Sequence, residues 1–255
     1  MFSQFIFMVI LSSTNAAPSV ISWNTSVGIE RLASSKYKVD FFKLANHFES
    51  QSNRFFCGPT SSAIVLNALR VRNPDFELPQ DKSLLSEEDL AYLALGSRWS
   101  PLYNRYTQNN VLDKSPKTRE FVLGKPRADK KGKLIRDFGL QLQQLTDLLK
   151  ANNLNVTKHV VTDEINSDKI KQMLMTNLKT RDDYIIVNFL RSGLKQAGGG
   201  HISPLGAYHQ QSDSFLILDT APNKADWVWV KSEMLIEAMR SFDKVENRGF
   251  VSVKN

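Results

Sequence analysis

Residues 55–69 read FFCGPTSSAIVLNAL, and they place Cys57 directly before a segment that is apolar almost all round. Such a segment is typical of a buried helix. A thiol in the first turn of a helix faces free backbone N–H groups and the positive end of the helix dipole, and both favour the thiolate. Gly58 permits close approach of a substrate, and Pro59 suits the first helical turn. The stretch therefore predicts a nucleophilic cysteine at a helix start, with a packed core cysteine as the alternative.

The elements around this helix predict an α+β fold. Helical spacing or caps indicate helices at 60–70, 86–93, 142–149, 167–178 and 232–239. Strand patterns cover 156–161, 184–190, 201–208, 215–219, 227–230 and 249–253. Because helices come first and an antiparallel sheet second, the order favours α+β over alternating α/β. We expect one domain over 17–255, with a helical lobe at about 36–150 and a sheet-rich lobe at about 151–255.

A hairpin in the sheet-rich part offers a base for the thiol. His201 opens one strand and Asp219 closes the next, with only HQQSDS between the two strands. If the turn centres near residue 211, Asp219 is a diagonal neighbour of His201 on the same face, roughly 7–8 Å away. A turn shifted by half a residue would put them on opposite faces. A thiolate needs a base and the base an orienting group, so Cys57, His201 and Asp219 form a candidate set.

Each member also has a plainer interpretation. His201 would suit a hydrogen-bonded core histidine, and Asp219 a turn residue at a strand end. Gln51 lies six residues before Cys57, where its amide would help the Cys57 backbone N–H to stabilise an oxyanion. An ordinary polar loop residue is the alternative for Gln51.

Composition excludes several classes of protein. The 255 residues are 42% hydrophobic, which excludes a disordered or fibrous chain. Lys and Arg number 33 against 26 Asp and Glu, but this excess is spread along the chain and forms no nucleic-acid motif. One cysteine and four histidines without i, i+4 spacing exclude a Cys-rich or helical metal site, so we expect no metal ligands. Residues 125–133 (KPRADKKGK) form either a solvated loop or an anion-binding lid.

The N-terminus predicts export. Residues 1–17 read MFSQFIFMVILSSTNAA, a short apolar run followed by small residues that suit cleavage after Ala16. The segment 1–16 is thus a predicted signal peptide and the protein periplasmic or secreted, although the start lacks Lys and Arg. A buried N-terminal strand in a cytoplasmic protein is the alternative. The run is too short for a membrane helix, and no later stretch qualifies.

Several motifs together resemble a known family. The order Gln-x5-Cys-Gly, helix, GGH strand and LILD resembles the papain-like cysteine peptidases, and in detail it is closest to the phytochelatin synthase family. The matching segments, spread from about residue 36 to 253, are FFCGPTSSAIVLNAL (55–69), YTQNN (106–110), YIIVNFLR (184–191), GGHISPLGAYHQQSDSFLILD (199–219), WVWVKSEMLIEAM (227–239) and RGF (248–250). The plant-type enzymes carry a Cys-rich C-terminal region, which this sequence lacks, so it resembles the short bacterial form. The resemblance implies a papain-like fold.

The resemblance also implies an activity. Family members attack glutathione between cysteine and glycine, release glycine and keep γ-glutamylcysteine as a thioester. Water then gives hydrolysis, and a second glutathione gives phytochelatin. By position, Cys57 matches the nucleophile, His201 the base, Asp219 the orienting residue and Gln51 the oxyanion donor.

Substrate contacts follow by position as well. Asp243 and Arg248 match a pair near the family's second-substrate site, and Gly200 precedes the base. Arg191, Lys224 and Arg248 are candidate partners for glutathione carboxylates. Where the family reads DVxRxKYPP, this chain reads DTAPNKADW: Lys224 is kept, but Pro222 replaces the arginine. The departure disfavours chain extension and favours hydrolysis.

Partners follow from the same reasoning. We expect glutathione as the small-molecule substrate, no nucleic acid, and no intrinsic cofactor. Cadmium or zinc would serve as an activator or as a metal–glutathione substrate. Trp227 and Trp229 are either a homodimer interface or sheet core. Two other functions stay open: a peptidase for longer peptides, with a groove open past Cys57, and a non-catalytic thiol or metal–thiolate binding protein.

Overall fold

The computed structural model describes residues 20–93 and 101–255. The predicted signal peptide at 1–16 lies outside the described residues and stays a prediction. The helices are α1 (Ser26–Ser34), α2 (Phe41–Asn46), α3 (Cys57–Arg70), α4 (Glu87–Tyr92), α5 (Arg119–Val122), α6 (Leu142–Ala151), α7 (Ser167–Asn177) and α8 (Ser232–Arg240). Short 3₁₀ turns lie at Asn110–Leu112 and Arg191–Leu194. The strands are β1 (Val20–Ser22), β2 (Arg127–Ala128), β3 (Leu134–Ile135), β4 (Asn155–Val160), β5 (Tyr184–Leu190), β6 (Gly200–His209), β7 (Ser214–Ile217), β8 (Val228–Lys231), β9 (Phe242–Asp243), β10 (Glu246–Asn247) and β11 (Gly249–Lys254).

One seven-stranded sheet organises the fold. Its strand order is β1-β8-β7-β6-β5-β11-β4, and every pairing is antiparallel. Seven of the eight helices in the described residues precede the central strands β5, β6 and β7 in the chain, so the predicted α+β class is confirmed. Helices α7 and α8 fall within the sheet-rich half, and both contact β5.

The sheet is buried on both faces. In β5, Tyr184 and Ile186 belong to the core shared with α3 and α6, whereas Ile185, Val187 and Phe189 belong to the core shared with α7 and α8. Successive side chains of a strand point to opposite faces. The unbroken apolar run of this strand is therefore the signature of a sheet covered on two sides.

Helix α3 is buried along its whole length, as its sequence predicts. It packs against the central strand β6. Ser61 Oγ donates a hydrogen bond to the Ile202 carbonyl over 3.1 Å and so ties the first turns of α3 to that strand. The contact brings the start of α3, where Cys57 lies, beside the start of β6, where His201 lies.

The β6–β7 hairpin contains a register shift that decides the geometry of the site. At its outer end His209 faces Ser214, so the turn is centred half a residue beyond 211. Continued along the strands, that register would put His201 and Asp219 on opposite faces. A β-bulge between Leu205 and Ala207 adds one residue to β6 and restores the pairing of Leu205 with Ile217. His201 and Asp219 thereby return to one face.

Two peripheral features bear on alternatives that the sequence leaves open. Residues 127–135 form the small hairpin β2–β3, whose strand residues Arg127, Ala128 and Leu134 are exposed, as expected for a solvated segment. Trp229 is fully buried and donates its indole N–H to the Gly28 carbonyl over 3.0 Å, so it is sheet core. Trp227 is half-buried and packs on Trp23. Within residues 20–93 and 101–255, no helix is both long and apolar enough to cross a membrane.

Candidate active site

Cys57 is the first residue of α3, and its buried thiol contacts the His201 imidazole. Burial alone would raise the pKa of the thiol. The hydrogen bond and charge of His201, together with the backbone N–H groups of Ile202 and Gly58, outweigh burial and hold the pKa of Cys57 below its ordinary value. The arrangement favours a thiolate, the reactive form of cysteine.

The His201 ring is fixed between two polar groups and an aromatic ring. Its Nε2 lies 2.9 Å from Asp219 Oδ1 and 2.9 Å from Ser203 Oγ, which leaves Nδ1 for the thiol. The Phe189 ring meets the imidazole edge-on at 5.6 Å. Burial lowers the pKa of His201, but Asp219 and Cys57 raise it above its ordinary value overall. The two shifts in pKa favour an imidazolium beside a thiolate.

Asp219 is fully buried and holds the base from behind. Its Oδ1 also accepts hydrogen bonds from Arg191 Nη2 at 2.8 Å and from the Ala221 backbone N–H at 2.9 Å. Burial raises the pKa of Asp219, yet His201 and Arg191 lower it below its ordinary value overall. Arg191 was a candidate for binding substrate. Its guanidinium instead pairs with Asp219 and with Gln196, at 2.8 Å each.

Gln51 is hydrogen-bonded to Thr220, the residue that follows Asp219. Its backbone N–H donates to the Thr220 carbonyl over 2.8 Å, and its side-chain oxygen accepts from Thr220 Oγ1 over 3.0 Å. Its Nε2 donates to the Asn53 carbonyl over 2.7 Å. Since an amide nitrogen carries two hydrogens, one stays available for an oxyanion. Thr220 thus links the residue that orients the base to the candidate oxyanion donor.

Gln108 braces the loop on both sides of Gln51. Its side-chain oxygen accepts from the Ser52 backbone N–H at 2.7 Å, and its Nε2 donates to the Ser50 carbonyl at 3.2 Å. The same oxygen lies 3.3 Å from Thr60 Oγ1 on α3. These contacts give the YTQNN segment a structural role in positioning the loop that leads to Cys57.

Two cavities meet at His201. The larger has a volume of about 480 Å³ and the smaller about 130 Å³. The larger is bounded by residues 51–54, Arg191, residues 198–201 and residues 221–224. The smaller is bounded by Arg54, Phe55, Cys57, Gly139, Leu140, Asn188, residues 200–202, Asp243 and Arg248. His201 can therefore serve groups that lie on either side of it.

The smaller cavity carries a buried polar cluster beside the thiol. Arg248 Nη1 donates to Asp243 Oδ2 and to Asn188 Oδ1, both at 2.8 Å. Asn188 Nδ2 and Arg248 Nε are buried and have no hydrogen-bond partner among the described residues. A Cβ on Gly200 would come 2.3 Å from Arg248 Nη1, so a side chain there would displace the Arg248 guanidinium. Asp243 and Arg248 thus line the same cavity as Cys57, and their implied role near a second substrate stays a prediction.

The larger cavity is cationic. Among the predicted substrate contacts, Lys224 lines only the larger cavity, whereas Gly200 lines both cavities. Arg54 also lines both cavities, and none of the described residues that bound the larger one is acidic. Such a cavity suits an anion. Among the described residues, at this site or away from it, no three His, Cys, Asp or Glu side chains are grouped to hold a metal ion.

Sequence reasoning overlooked three residues here. Asn188 lies inside the apolar run of β5, which indicates a core strand and not a binding residue. Thr220 belongs to no motif that would indicate a function. Arg54 had a signal that was available, since a cation three residues before a nucleophile lies close to any bound substrate.

Comparison with known proteins gives concordant matches. A family model described as phytochelatin synthase matches residues 12–250. Glutathione gamma-glutamylcysteinyltransferase 3 of Lotus japonicus is 26% identical over 215 residues, covering 84% of this chain and 37% of the relative. Enzyme 1 of that name from Arabidopsis thaliana is 25% identical, covering 84% and 36%. The Schizosaccharomyces pombe enzyme is 26% identical, covering 83% and 42%. The chain spans well under half the length of these relatives.

Proposed function

The chain belongs to the phytochelatin synthase family, and from that premise we propose that it is a cysteine-dependent γ-glutamylcysteinyltransferase acting on glutathione. The observation that carries the proposal is the Cys57–His201–Asp219 set between a small polar cavity and a larger cationic one. Glutathione carries charged groups at both ends, so two such compartments suit its cleavage near one end.

Acylation begins at the thiolate. Cys57 Sγ attacks the carbonyl carbon of the Cys–Gly bond, and the π electron pair moves to the oxygen. The Gln51 amide and the Cys57 backbone N–H stabilise this oxyanion, as preorganised donors do in acyl transfer. The N–H of the His201 imidazolium that faces the sulfur gives its proton to the leaving nitrogen as the C–N bond breaks. Free glycine departs, and γ-glutamylcysteine stays on Cys57 as a thioester.

Deacylation reverses the proton flow. His201, now neutral, takes a proton from water or from the amine of a second glutathione, and the new oxygen or nitrogen attacks the thioester carbonyl. The thiolate leaves and pairs again with the imidazolium. Water gives γ-glutamylcysteine, and glutathione gives a peptide longer by one γ-glutamylcysteine unit.

The small cavity fits the donor's head group. A γ-glutamyl group ends in an ammonium and a carboxylate, and Asp243 and Arg248 offer one charge for each. The buried donors at Asn188 and Arg248 are available for the carboxylate oxygens. Their place beside Cys57 favours a role for Asp243 and Arg248 with the acyl donor. It also disfavours the peptidase alternative, since a buried ion pair lines the cavity where a longer peptide would continue.

The large cavity supports hydrolysis as the main outcome. Pro222 lines it where the family pattern has an arginine, and Lys224 is the cation kept in that segment. A weakly held second glutathione competes poorly with water. The proposal adds no resident metal; cadmium or zinc enters as the metal–thiolate of glutathione. It also includes export of the mature chain after residue 16. A homodimer is a further proposal that solution size measurements would test.

The test is incubation of the mature protein with glutathione, with and without cadmium or zinc, followed by mass spectrometry of the products. We expect free glycine and γ-glutamylcysteine with little extended peptide, and no reaction from Cys57→Ala. Abundant (γ-Glu-Cys)n-Gly would overturn the hydrolysis preference and keep the transferase. Glycine release that survives in Cys57→Ala, or none from the wild-type protein, would overturn the proposal.

A further inference from the structure

We propose that Arg54 binds the C-terminal carboxylate of the acyl donor and thereby selects glutathione by its free glycine end. This inference rests on the proposed function and adds a binding residue to it. Arg54 lies in the loop between Gln51 and Cys57. Together with Gly200 and His201, it is one of three residues that line both cavities. It therefore stands at the boundary where the scissile bond lies.

The Arg54 guanidinium is available, in contrast to the other arginines of the site. Arg191 is buried against Asp219, and Arg248 is buried against Asp243. Arg54 is exposed and makes no hydrogen bond or ion pair with any residue that the structure describes. An arginine without a partner at the mouth of an active site keeps all five donors for a ligand.

The loop that carries Arg54 is nevertheless well anchored. The Phe55 backbone N–H donates to Asn53 Oδ1 over 2.9 Å, and the Asn53 carbonyl accepts from Gln51 Nε2. The Phe55 ring stacks on Phe138 at 4.5 Å. The backbone of Arg54 is thus held between fixed neighbours, while the residue is exposed and lines both cavities.

The chemistry of the donor places a carboxylate at this boundary. With the scissile carbonyl at Cys57 and γ-glutamylcysteine in the small cavity, the glycine must extend past His201 into the large cavity. Only one Cα separates the scissile nitrogen from the glycine carboxylate. A guanidinium binds a carboxylate through two parallel hydrogen bonds, which fixes its direction as well as its charge. Arg54 is therefore placed to hold the leaving group in line for protonation by His201.

The inference predicts selection by the substrate's end group. An amidated C-terminus removes the charge that Arg54 would bind, and a C-terminally extended peptide moves the carboxylate away. Lys224 lines the large cavity alone, so its charge acts on groups farther from the thiol. Release of glycine should depend on Arg54 more than release of glycinamide does.

The experiment compares glutathione with its C-terminal amide on the wild-type protein, Arg54→Gln and Arg54→Lys. The readout is kcat/KM for release of glycine or glycinamide. Arg72→Gln is the matched control, because Arg72 is also an exposed arginine, it lines neither cavity, and the change in net charge is the same. Melting temperature and the rate of Cys57 alkylation check that each variant is folded.

We expect the wild-type protein to prefer the free carboxylate by roughly 10- to 100-fold, the range of a hydrogen bond to a charged group. Arg54→Gln should bring the two substrates to within about threefold, and Arg54→Lys should keep part of the preference, since it keeps charge but not the paired donors. Arg72→Gln should behave as the wild type does. If Arg54→Gln keeps the full preference for the free carboxylate, or if the wild type shows no such preference, the role of Arg54 is overturned while the proposed function stands. No turnover of either substrate overturns the proposed function, and Arg54's role falls with it.

Discussion

The two cavities on either side of His201 are built in opposite ways. The small one is lined by groups that already hold one another, since buried Arg248 bonds to partly buried Asp243 and to buried Asn188. The large one is bounded mainly by loops, and its cations Arg54 and Lys224, which form no ion pair with any described residue, are exposed, whereas Arg191 is buried against Asp219. A buried ion pair cannot rearrange without leaving a charge uncompensated, whereas exposed cations can adapt. The small cavity is therefore suited to define what is acylated, and the large one what leaves and what enters.

The largest effect is expected where the two cavities meet, at His201 and the Asp219 that orients it, because this junction serves both cavities equally. Asp219→Asn should lower kcat by about 10⁴-fold, because an amide cannot stabilise the imidazolium or keep the required ring orientation. The loss should be the same for hydrolysis and for transfer. Assays quenched at fixed times, which quantify released glycine and extended peptide, measure the rates of hydrolysis and of transfer. A loss confined to one of the two outcomes would show that the junction is not shared.

The pH profile is the accompanying control for Asp219. In the wild-type protein the lowered pKa of Cys57 and the raised pKa of His201 both favour the thiolate–imidazolium pair as the active form. The acid limb of the pH–activity profile should therefore lie below the ordinary pKa of a thiol. The alkaline limb should lie above the ordinary pKa of an imidazole. Asp219→Asn removes a charge that raises the pKa of His201, so the alkaline limb should move to lower pH. The two limbs belong to the coupled pair.

A smaller effect, confined to the small cavity, is expected from Arg248→Gln. Removing one partner of a buried, hydrogen-bonded pair should lower kcat/KM for glutathione by roughly 10²- to 10³-fold. The ratio of transfer to hydrolysis should stay as it is, because the acceptor lies on the other side of His201. Arg248→Lys keeps the charge and tests whether folding alone explains the loss. A change mainly in the ratio of transfer to hydrolysis would show that Arg248 acts on the second substrate and not on the acyl donor.

The smallest effect is expected from Thr220→Val, which removes one hydroxyl at nearly constant shape. Without the bond to its side-chain oxygen, the Gln51 amide can turn, and kcat should fall about tenfold, the size of one hydrogen bond. KM should change little, and Thr220→Ser should restore activity. Gln51→Ala should cost roughly 10²- to 10³-fold. If Thr220→Val still lowers kcat in the Gln51→Ala protein, Thr220 acts by another route.

The amino-acid pattern alone determines much of this protein. The apolar stretch after Cys57 predicts the buried helix, because a segment that is apolar on every side must be surrounded. The run at 184–190 predicts a covered strand for the same reason. These are local consequences of burying apolar surface, and neighbouring residues are enough to reveal them.

The meeting of the catalytic groups depends on tertiary structure. His201 and Asp219 share a face only because a bulge beside Gly206 corrects a turn shifted by half a residue. The space there is tight, since a Cβ on Gly206 would come 2.9 Å from the Leu218 side chain. Likewise, Arg191 and Arg248 look alike as exposed cations in the sequence, yet each is buried against a carboxylate. Register and ion pairing are set by residues far apart in the chain, so only the packed sheet decides them.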